Sequence, residues 1–197
     1  MRDNKVYGLV LAGGKSTRMG KDKGAIVYHN RPQREHLYDL LQRVCDRTFY
    51  SIREDQVEEF SKLEECVVDK NIFKGPFNGM LSAHEQFPDV AWMVMACDMP
   101  FMDEQALRKL LEQSDEDYIA TAFATQESGL PEPLAAIWEP QGLAGAIDYL
   151  RNSSSSCPRK YLINSHTKLV SPDRDQLVLN ANSIEDYEHA VAKLTPR

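Results

Sequence analysis

Hydrophobic positions along the chain fall into short runs that alternate with longer amphipathic stretches. The apolar, β-branched or aromatic runs are Val6–Ala12, Thr48–Ile52, Cys66–Val68, Ala91–Ala96, Tyr118–Phe123, Leu134–Trp138 and Leu177–Leu179. Polar, Gly or Pro residues bound each of them, as they bound strands buried on both faces. Within 34–47, Leu37, Leu40, Leu41 and Val44 recur at helical spacing, and Leu107, Leu110 and Leu111 do so within 104–113, where Asp103 is placed to cap. A third predicted helix, Ser183–Leu194, opens with Ser-x-x-Asp, a capping-box-like start, and has Ile184, Tyr187, Ala190, Val191 and Leu194 on its apolar side. The stretch 126–133, with two Pro and one Gly, reads as a loop, and the serines at 153–156 as a solvated loop or helix end.

Strands alternating with helices predict an α/β fold of three layers, a mostly parallel central sheet with helices on both faces. Ligands of such sheets bind beyond the carboxyl ends of the strands. Chemistry is therefore expected just after Ala12, Ile52, Val68, Ala96 and Leu179. At 197 residues the chain is expected to form one domain, 1–197. Its formal charge of -7 argues against a general nucleic-acid binder, which would present a basic face. No run approaches the roughly 20 apolar residues of a membrane helix, and the first residues lack the pattern of a secretory leader. Cys45, Cys66, Cys97 and Cys157 are widely separated, and the five His show no zinc spacing. A cytoplasmic protein without membrane partners is the expectation.

The first predicted strand runs into Gly13-Gly14. Paired glycines let the backbone take φ > 0 and approach a ligand closely, and successive N–H groups in such a turn form an anion-binding nest. Lys15, Arg18, Lys21 and Lys23 then follow, against one acid, Asp22. A triphosphate suits that set. The same residues also fit a strand-to-helix turn with a solvated charged stretch, but the concentration of cations favours the polyanion. The Walker pattern fails because the position five before Gly14 is Leu9, with Gly8 one residue too early, and G-x-G-x-x-G is absent. The uncharged run Ala91–Cys97 ends at Asp98. A carboxylate there would point into the ligand crevice and could bind Mg2+, which takes one or two carboxylates together with substrate phosphates. Asp before a nearby Pro also serves simple turns.

The thirteen residues Leu11-Ala12-Gly13-Gly14-Lys15-Ser16-Thr17-Arg18-Met19-Gly20-Lys21-Asp22-Lys23 resemble the signature loop of the molybdenum cofactor guanylyltransferase family and, more broadly, of sugar-phosphate-type nucleotidyltransferases. Cys97-Asp98-Met99-Pro100-Phe101 is similar to the family's Cys-Asp-x-Pro-Phe, whose Asp holds the metal. Asp69 with Gly75-Pro76-Phe77-Asn78-Gly79 is similar to an Asp followed by Gly-Pro-Leu-x-Gly near base and ribose, although Phe77 and Asn78 depart from the usual pair. Ser51 stands where the family often has Asn. Asn180-Ala181-Asn182-Ser183-Ile184-Glu185-Asp186 is similar to Asn-x-Asn-Thr-Pro-Glu-Asp, whose Asn pair lies beside the metal and the acceptor phosphate, and here Ser-Ile replaces Thr-Pro.

The resemblance implies a Rossmann-like nucleotidyltransferase fold. It implies a nucleotide site of Leu11, Ala12, Gly13, Gly14, Lys15, Ser16, Arg18, Lys23, Ser51, Asp69, Gly75, Pro76, Gly79 and Asp98. Arg18, Lys23 and Asp98 would be catalytic, and Asp98 and Asn182 would hold Mg2+, with Mn2+ as the alternative. GTP and molybdopterin would be the substrates, and cofactor-synthesis proteins or acceptor molybdoenzymes the transient partners. A cytidylyl or sugar-phosphate nucleotidyltransferase and a non-catalytic nucleotide-binding protein are the rival readings.

Overall fold

The computed structural model describes residues 4–14, 23–60 and 65–194. In chain order its elements are β1 (Val6–Leu11), α1 (Gln33–Gln42), β2 (Arg47–Ile52), α2 (Val57–Phe60), β3 (Cys66–Val68), α3 (Pro76–Gln86), β4 (Ala91–Ala96), α4 (Glu104–Glu112), β5 (Ala120–Ala124), β6 (Pro131–Trp138), α5 (Pro140–Asn152), α6 (Pro158–Ile163), β7 (Thr167–Val170) and α7 (Ile184–Leu194). The strands form one sheet in the order β3-β2-β1-β4-β6-β5-β7. β1 pairs in parallel with both β2 and β4, β2 with β3, and β5 with β7. Only β6, among the described strands, runs against its neighbours β4 and β5.

Side chains alternate across a strand, so each central strand feeds two layers. Along β1, Val6 and Val10 face the layer that holds Leu37, Leu40 and Leu41 of α1 and Leu107 and Leu110 of α4. Tyr7 and Leu9 face the opposite layer, with Phe77, Met80 and Leu81 of α3, Leu143 and Ala146 of α5, and Leu162 of α6. In β4, Met93 and Met95 join the first layer, while Trp92 and Val94 join the second. A central strand flanked by helices on both faces needs no polar side, which is why Ala91–Ala96 reads as an uninterrupted apolar run. The expected three-layer α/β fold is the observed one.

The capping signals hold. The Asp103 carboxylate accepts from the Ala106 N–H at 2.8 Å. Ser183 Oγ accepts from the Asp186 N–H at 3.1 Å while Asp186 accepts from the Ser183 N–H at 2.9 Å, a reciprocal capping box.

Several boundaries move. α1 ends at Gln42 rather than reaching Arg47, because Arg47 is the first residue of β2. β5 starts at Ala120, two residues later than predicted. Leu177–Leu179 is not a strand: residues Asp175–Val178 form a 3-10 turn with Leu177 and Val178 buried, so the apolar run reflects burial without a ladder. β7, α2, α3, α5 and α6 were not predicted as elements, and the predicted loop 126–133 contributes Pro131–Pro133 to β6. None of the described helices is long and apolar enough to cross a membrane.

Candidate active site

The parallel strands β3, β2, β1 and β4 bring their carboxyl ends to one edge of the sheet. A cavity of about 420 Å³ opens there, and the residues just past each strand line it. Leu11, Ala12, Gly13 and Gly14 come from β1, Ser51 and Arg53 from β2, Asp69 from β3, and Cys97 and Asp98 from β4. Gly75, Pro76, Asn78 and Gly79 come from the start of α3, and Leu134 from β6. Ten residues predicted to bind nucleotide line this one space: Leu11, Ala12, Gly13, Gly14, Ser51, Asp69, Gly75, Pro76, Gly79 and Asp98. Lys15, Ser16 and Arg18 lie outside the described residues. Of Lys23 only the backbone is described, in the 3-10 turn Lys23–Ala25, whose Gly24 reaches the cavity.

Backbone bonds fix the floor. The Ala12 N–H donates to the Ser51 carbonyl at 2.9 Å, and the Asp69 N–H donates to the Ile52 carbonyl at 2.8 Å, so the exits of β1, β2 and β3 are tied edge to edge. Ser51 is buried, and its hydroxyl donates to Asp69 Oδ1 at 2.7 Å. A Cβ at Gly79 would overlap Ser51 Oγ and lie 3.2 Å from Asp69 Oδ1, so any side chain there displaces the Ser51 hydroxyl from its place beside Asp69. Gly13 is less confined, with Asp69 Oδ2 at 3.1 Å from where its Cβ would be, a tight contact rather than an overlap. Gly75 takes φ 68°, a conformation that favours glycine, and turns the chain into α3 with Pro76 as the first helical residue. The positive end of α3 thereby faces the cavity, an arrangement suited to an anion.

Burial pushes the Asp69 carboxyl above the ordinary carboxylate range, and the hydrogen bonds from Ser51 and Asn78 together with the Arg53 charge pull it part of the way back. Arg53 was not predicted. Its Nη1 donates to the Gly13 carbonyl at 2.8 Å and its Nε to Asp55 at 2.8 Å, which pins the glycine turn to the end of β2. A cation one residue past a buried strand was the available signal. Asn78, noted in the sequence only as a departure, accepts from the Phe73 N–H at 3.3 Å and so holds the 70–75 loop over Asp69.

Asp98 lies at the exit of β4, where its carbonyl accepts from the Ala181 N–H at 2.7 Å. This bond brings the segment 180–182 to the edge of the site. Asn182 itself is exposed, and its N–H donates to Asp186 at 2.9 Å. Asn182 is absent from the cavity lining, and the bond that ties its segment to Asp98 is the one from the Ala181 backbone. Tyr28 stands close enough to feel the Asp98 charge: burial first, then Tyr187, Asp98 and Asp186, push its phenol up to about 12.

Among the described residues no group of three or more His, Cys, Asp or Glu could hold a metal by itself. One carboxylate facing a cavity fits a Mg2+ ion completed by substrate phosphates, as hard cations of this kind are commonly held. The cavity's described lining carries two carboxylates, Asp69 and Asp98, and one cation, Arg53.

The description of one protein-family model, the MobA-like NTP transferase domain, matches residues 8–169. A molybdenum cofactor biosynthesis bifunctional protein from Synechocystis sp. is 37% identical over 184 residues, covering 92% of this chain and 52% of that protein, so the chain spans about half of that relative's length. A molybdenum cofactor guanylyltransferase from Campylobacter jejuni is 23% identical over 194 residues, covering 98% of this chain and 100% of the relative. Among solved structures, molybdopterin-guanine dinucleotide biosynthesis protein A from Archaeoglobus fulgidus superposes with a TM-score of 0.78 at 21% identity, covering 95% of this chain and 97% of that one.

Proposed function

The chain belongs to the MobA-like NTP transferase family and is a nucleotidyltransferase, and on that premise we propose that it transfers GMP from GTP to the phosphate of molybdopterin, releasing pyrophosphate. The observation that carries this reading is the convergence of the Gly13-Gly14 turn, the Ser51–Asp69 pair, the start of α3 and Asp98 on one cavity. The names of the Synechocystis, Campylobacter and Archaeoglobus proteins support molybdenum cofactor chemistry, and two of them specify guanine.

In the proposed reaction an oxygen of the acceptor phosphate attacks the α-phosphorus of GTP. The bond from that phosphorus to the bridging oxygen breaks, and pyrophosphate carries the electron pair away. The protein's task is positioning and charge compensation. The glycine turn presents backbone N–H groups without an intervening Cβ, and Arg53 keeps it against β2. Asp69 and Ser51, with Gly79 giving way to them, shape the floor for base and ribose. Asp98 would hold Mg2+, which when bound neutralises charge on phosphate oxygens, and Asn182 is the second proposed ligand. Arg18 and Lys23 are proposed to stabilise the triphosphate. The need for such cations is physical, since Arg53 stands alone against two carboxylates in the described lining and is itself paired with Asp55.

Incubation with GTP, Mg2+ and molybdopterin tests the reading, with pyrophosphate and a guanylylated product as the expected yield. Parallel reactions with CTP, UTP and ATP set the base preference. A product formed with CTP and not GTP would overturn the guanylyl assignment, and nucleotide binding without pyrophosphate would overturn transfer itself.

A further inference from the structure

A nearly buried carboxylate, Glu132, stands beyond Asp98 toward the same end of the sheet. Glu132 is 8% exposed and sits between Pro131 and Pro133 at the start of β6. Neither proline has an N–H, so this end of the strand cannot donate ladder bonds at those positions. The Glu132 side chain organises it instead. Its Oε1 accepts from the Leu134 N–H at 3.2 Å, and its Oε2 accepts from Arg159 Nη2 at 2.6 Å and from Asn180 Nδ2 at 3.5 Å. Arg159, in the first turn of α6, also donates Nε to the Pro131 carbonyl at 3.0 Å.

The antiparallel register sets Met95 of β4 opposite Ala135 of β6. Asp98, just past the end of β4, and Glu132, at the start of β6, therefore lie toward the same end of the sheet. The segment 180–182 spans the two, with Ala181 bonded to the Asp98 carbonyl at 2.7 Å and Asn180 reaching Glu132. This segment lies between the turn ending at Val178 and α7, which begins at Ile184. No strand ladder holds it there, so a few side-chain and backbone bonds set its place. The contact from Asn180 Nδ2 to Glu132 Oε2, at 3.5 Å, is a long one, and it is the side-chain contact by which this segment meets β6.

We infer that Glu132 is a positioning residue: it holds the Asn180–Asn182 segment across the exit of β4, beside Asp98, and so organises the acceptor side of the site. The acceptor part of this inference rests on the transfer reaction proposed above. The competing role for Glu132 is that of a strut between β6 and α6 alone.

Amide hydrogen exchange of the full chain without substrates separates the two roles. Glu132→Gln keeps the shape and removes the charge. Exchange in peptides covering 178–183 is expected to rise at least fivefold, whereas a strut would speed exchange in α6 (158–163) and leave 178–183 unchanged, which would overturn the inference. Should Glu132→Gln fail to fold, Asn180→Ala removes the same contact from the other side. It must then speed 178–183 with α6 unaffected, and an unchanged 178–183 would again overturn it. Kinetically, Glu132→Gln should raise KM for molybdopterin about tenfold and leave the Kd for GTP within twofold. An equal loss on both substrates would count against an acceptor-side role. If the wild-type protein does not turn molybdopterin over at all, the proposed reaction fails, while the exchange result still decides what Glu132 holds.

Discussion

On one side of the site four parallel strands arrive with their ends, and on the other the reversed strand β6 arrives with its beginning. In the half made of β3, β2, β1 and β4 every strand runs the same way, and each presents the residues after its end: Asp69, Arg53, Gly13 and Asp98. In the other half β6 runs backwards, so it meets the same edge with its beginning, Pro131 to Leu134. A parallel strand hands the site a loop, whose backbone can bend around a ligand. A reversed strand hands it a strand start, whose side chains must do the organising. The side proposed to hold the nucleotide is therefore built around glycines, and the far side around a Glu–Arg–Asn cluster. The division can be broken experimentally, because each half should fail in a different observable.

The largest effect is expected at Asp98. Asp98→Asn removes the charge proposed to hold the metal and changes little volume. Turnover measured by pyrophosphate release should fall roughly 10²–10³-fold, comparable to the loss of a transition-state charge contact. The melting temperature should stay within a few degrees of wild type. Near-normal turnover in the folded variant would remove Asp98 from the chemistry, and the parallel half would then lose its claim to the reacting centre.

Two glycines, one in each half, give the next contrast. At Gly142 in α5 a Cβ would overlap the backbone carbonyl of Ile119. Backbone cannot rotate away, so Gly142→Ala should cost about 1–3 kcal/mol by overpacking, a drop of roughly 2–4 °C per kcal/mol for a chain of this size. Nucleotide affinity per folded molecule should be unchanged. At Gly79 the overlap is with Ser51 Oγ, a side chain that can turn, though only by giving up its bond to Asp69. Gly79→Ala should then cost about 1 kcal/mol, the usual net worth of one hydrogen bond, while weakening GTP binding about tenfold. Calorimetry and nucleotide titration of both variants decide it. Unaltered GTP affinity in Gly79→Ala would place the Ser51–Asp69 pair outside the nucleotide site.

The same asymmetry explains what could be read from the chain. β3 and β4 were legible to the residue, β4 because a strand buried on both faces is a plain apolar run, and β3, at the sheet's edge, because Cys66-Val67-Val68 is a short apolar run bounded by Glu65 and Asp69. Asp69 and Asp98 follow those two ends and line the cavity, while most of the other residues found there had been named through the family resemblance. On the other side periodicity misled. Leu177 and Val178 are buried, as an apolar run suggests, but in a 3-10 turn. β7 escaped because its Leu169 is 49% exposed at the sheet's edge and Lys168 interrupts it. α5 escaped because Gly142, Ala144, Gly145 and Ala146 give its start little amphipathic pattern, the small residues being there for close packing. Glu132 lay inside a stretch whose two prolines and glycine signal a loop, and nothing local says that a strand begins between the prolines. Arg53 and Asn78 act through contacts with distant backbone, at Gly13 and Phe73, that no spacing rule encodes.

The smallest expected effect concerns the electrostatics of the nucleotide side. Asp69 is an acid whose carboxyl is pushed up in the folded protein, first by burial, against the Ser51 and Asn78 hydrogen bonds and the Arg53 charge. Folding therefore favours its protonated form. The stability it contributes is complete below the ordinary Asp value of ~3.9 and is lost as pH rises through the raised folded value. Asn at 69 does not titrate, so the stability of Asp69→Asn relative to wild type should improve as pH goes from below that range to neutrality. The relative gain should show as a rise in melting temperature against wild type, and GTP affinity should fall because Asn offers a single acceptor oxygen where Ser51 and Asn78 both donate. Melting curves of the two proteins across that pH range give the sign directly. A relative loss on going to neutral pH would mean that Arg53 and the two hydrogen bonds outweigh burial, and that the floor of the nucleotide site is built to keep a charge rather than at the cost of one.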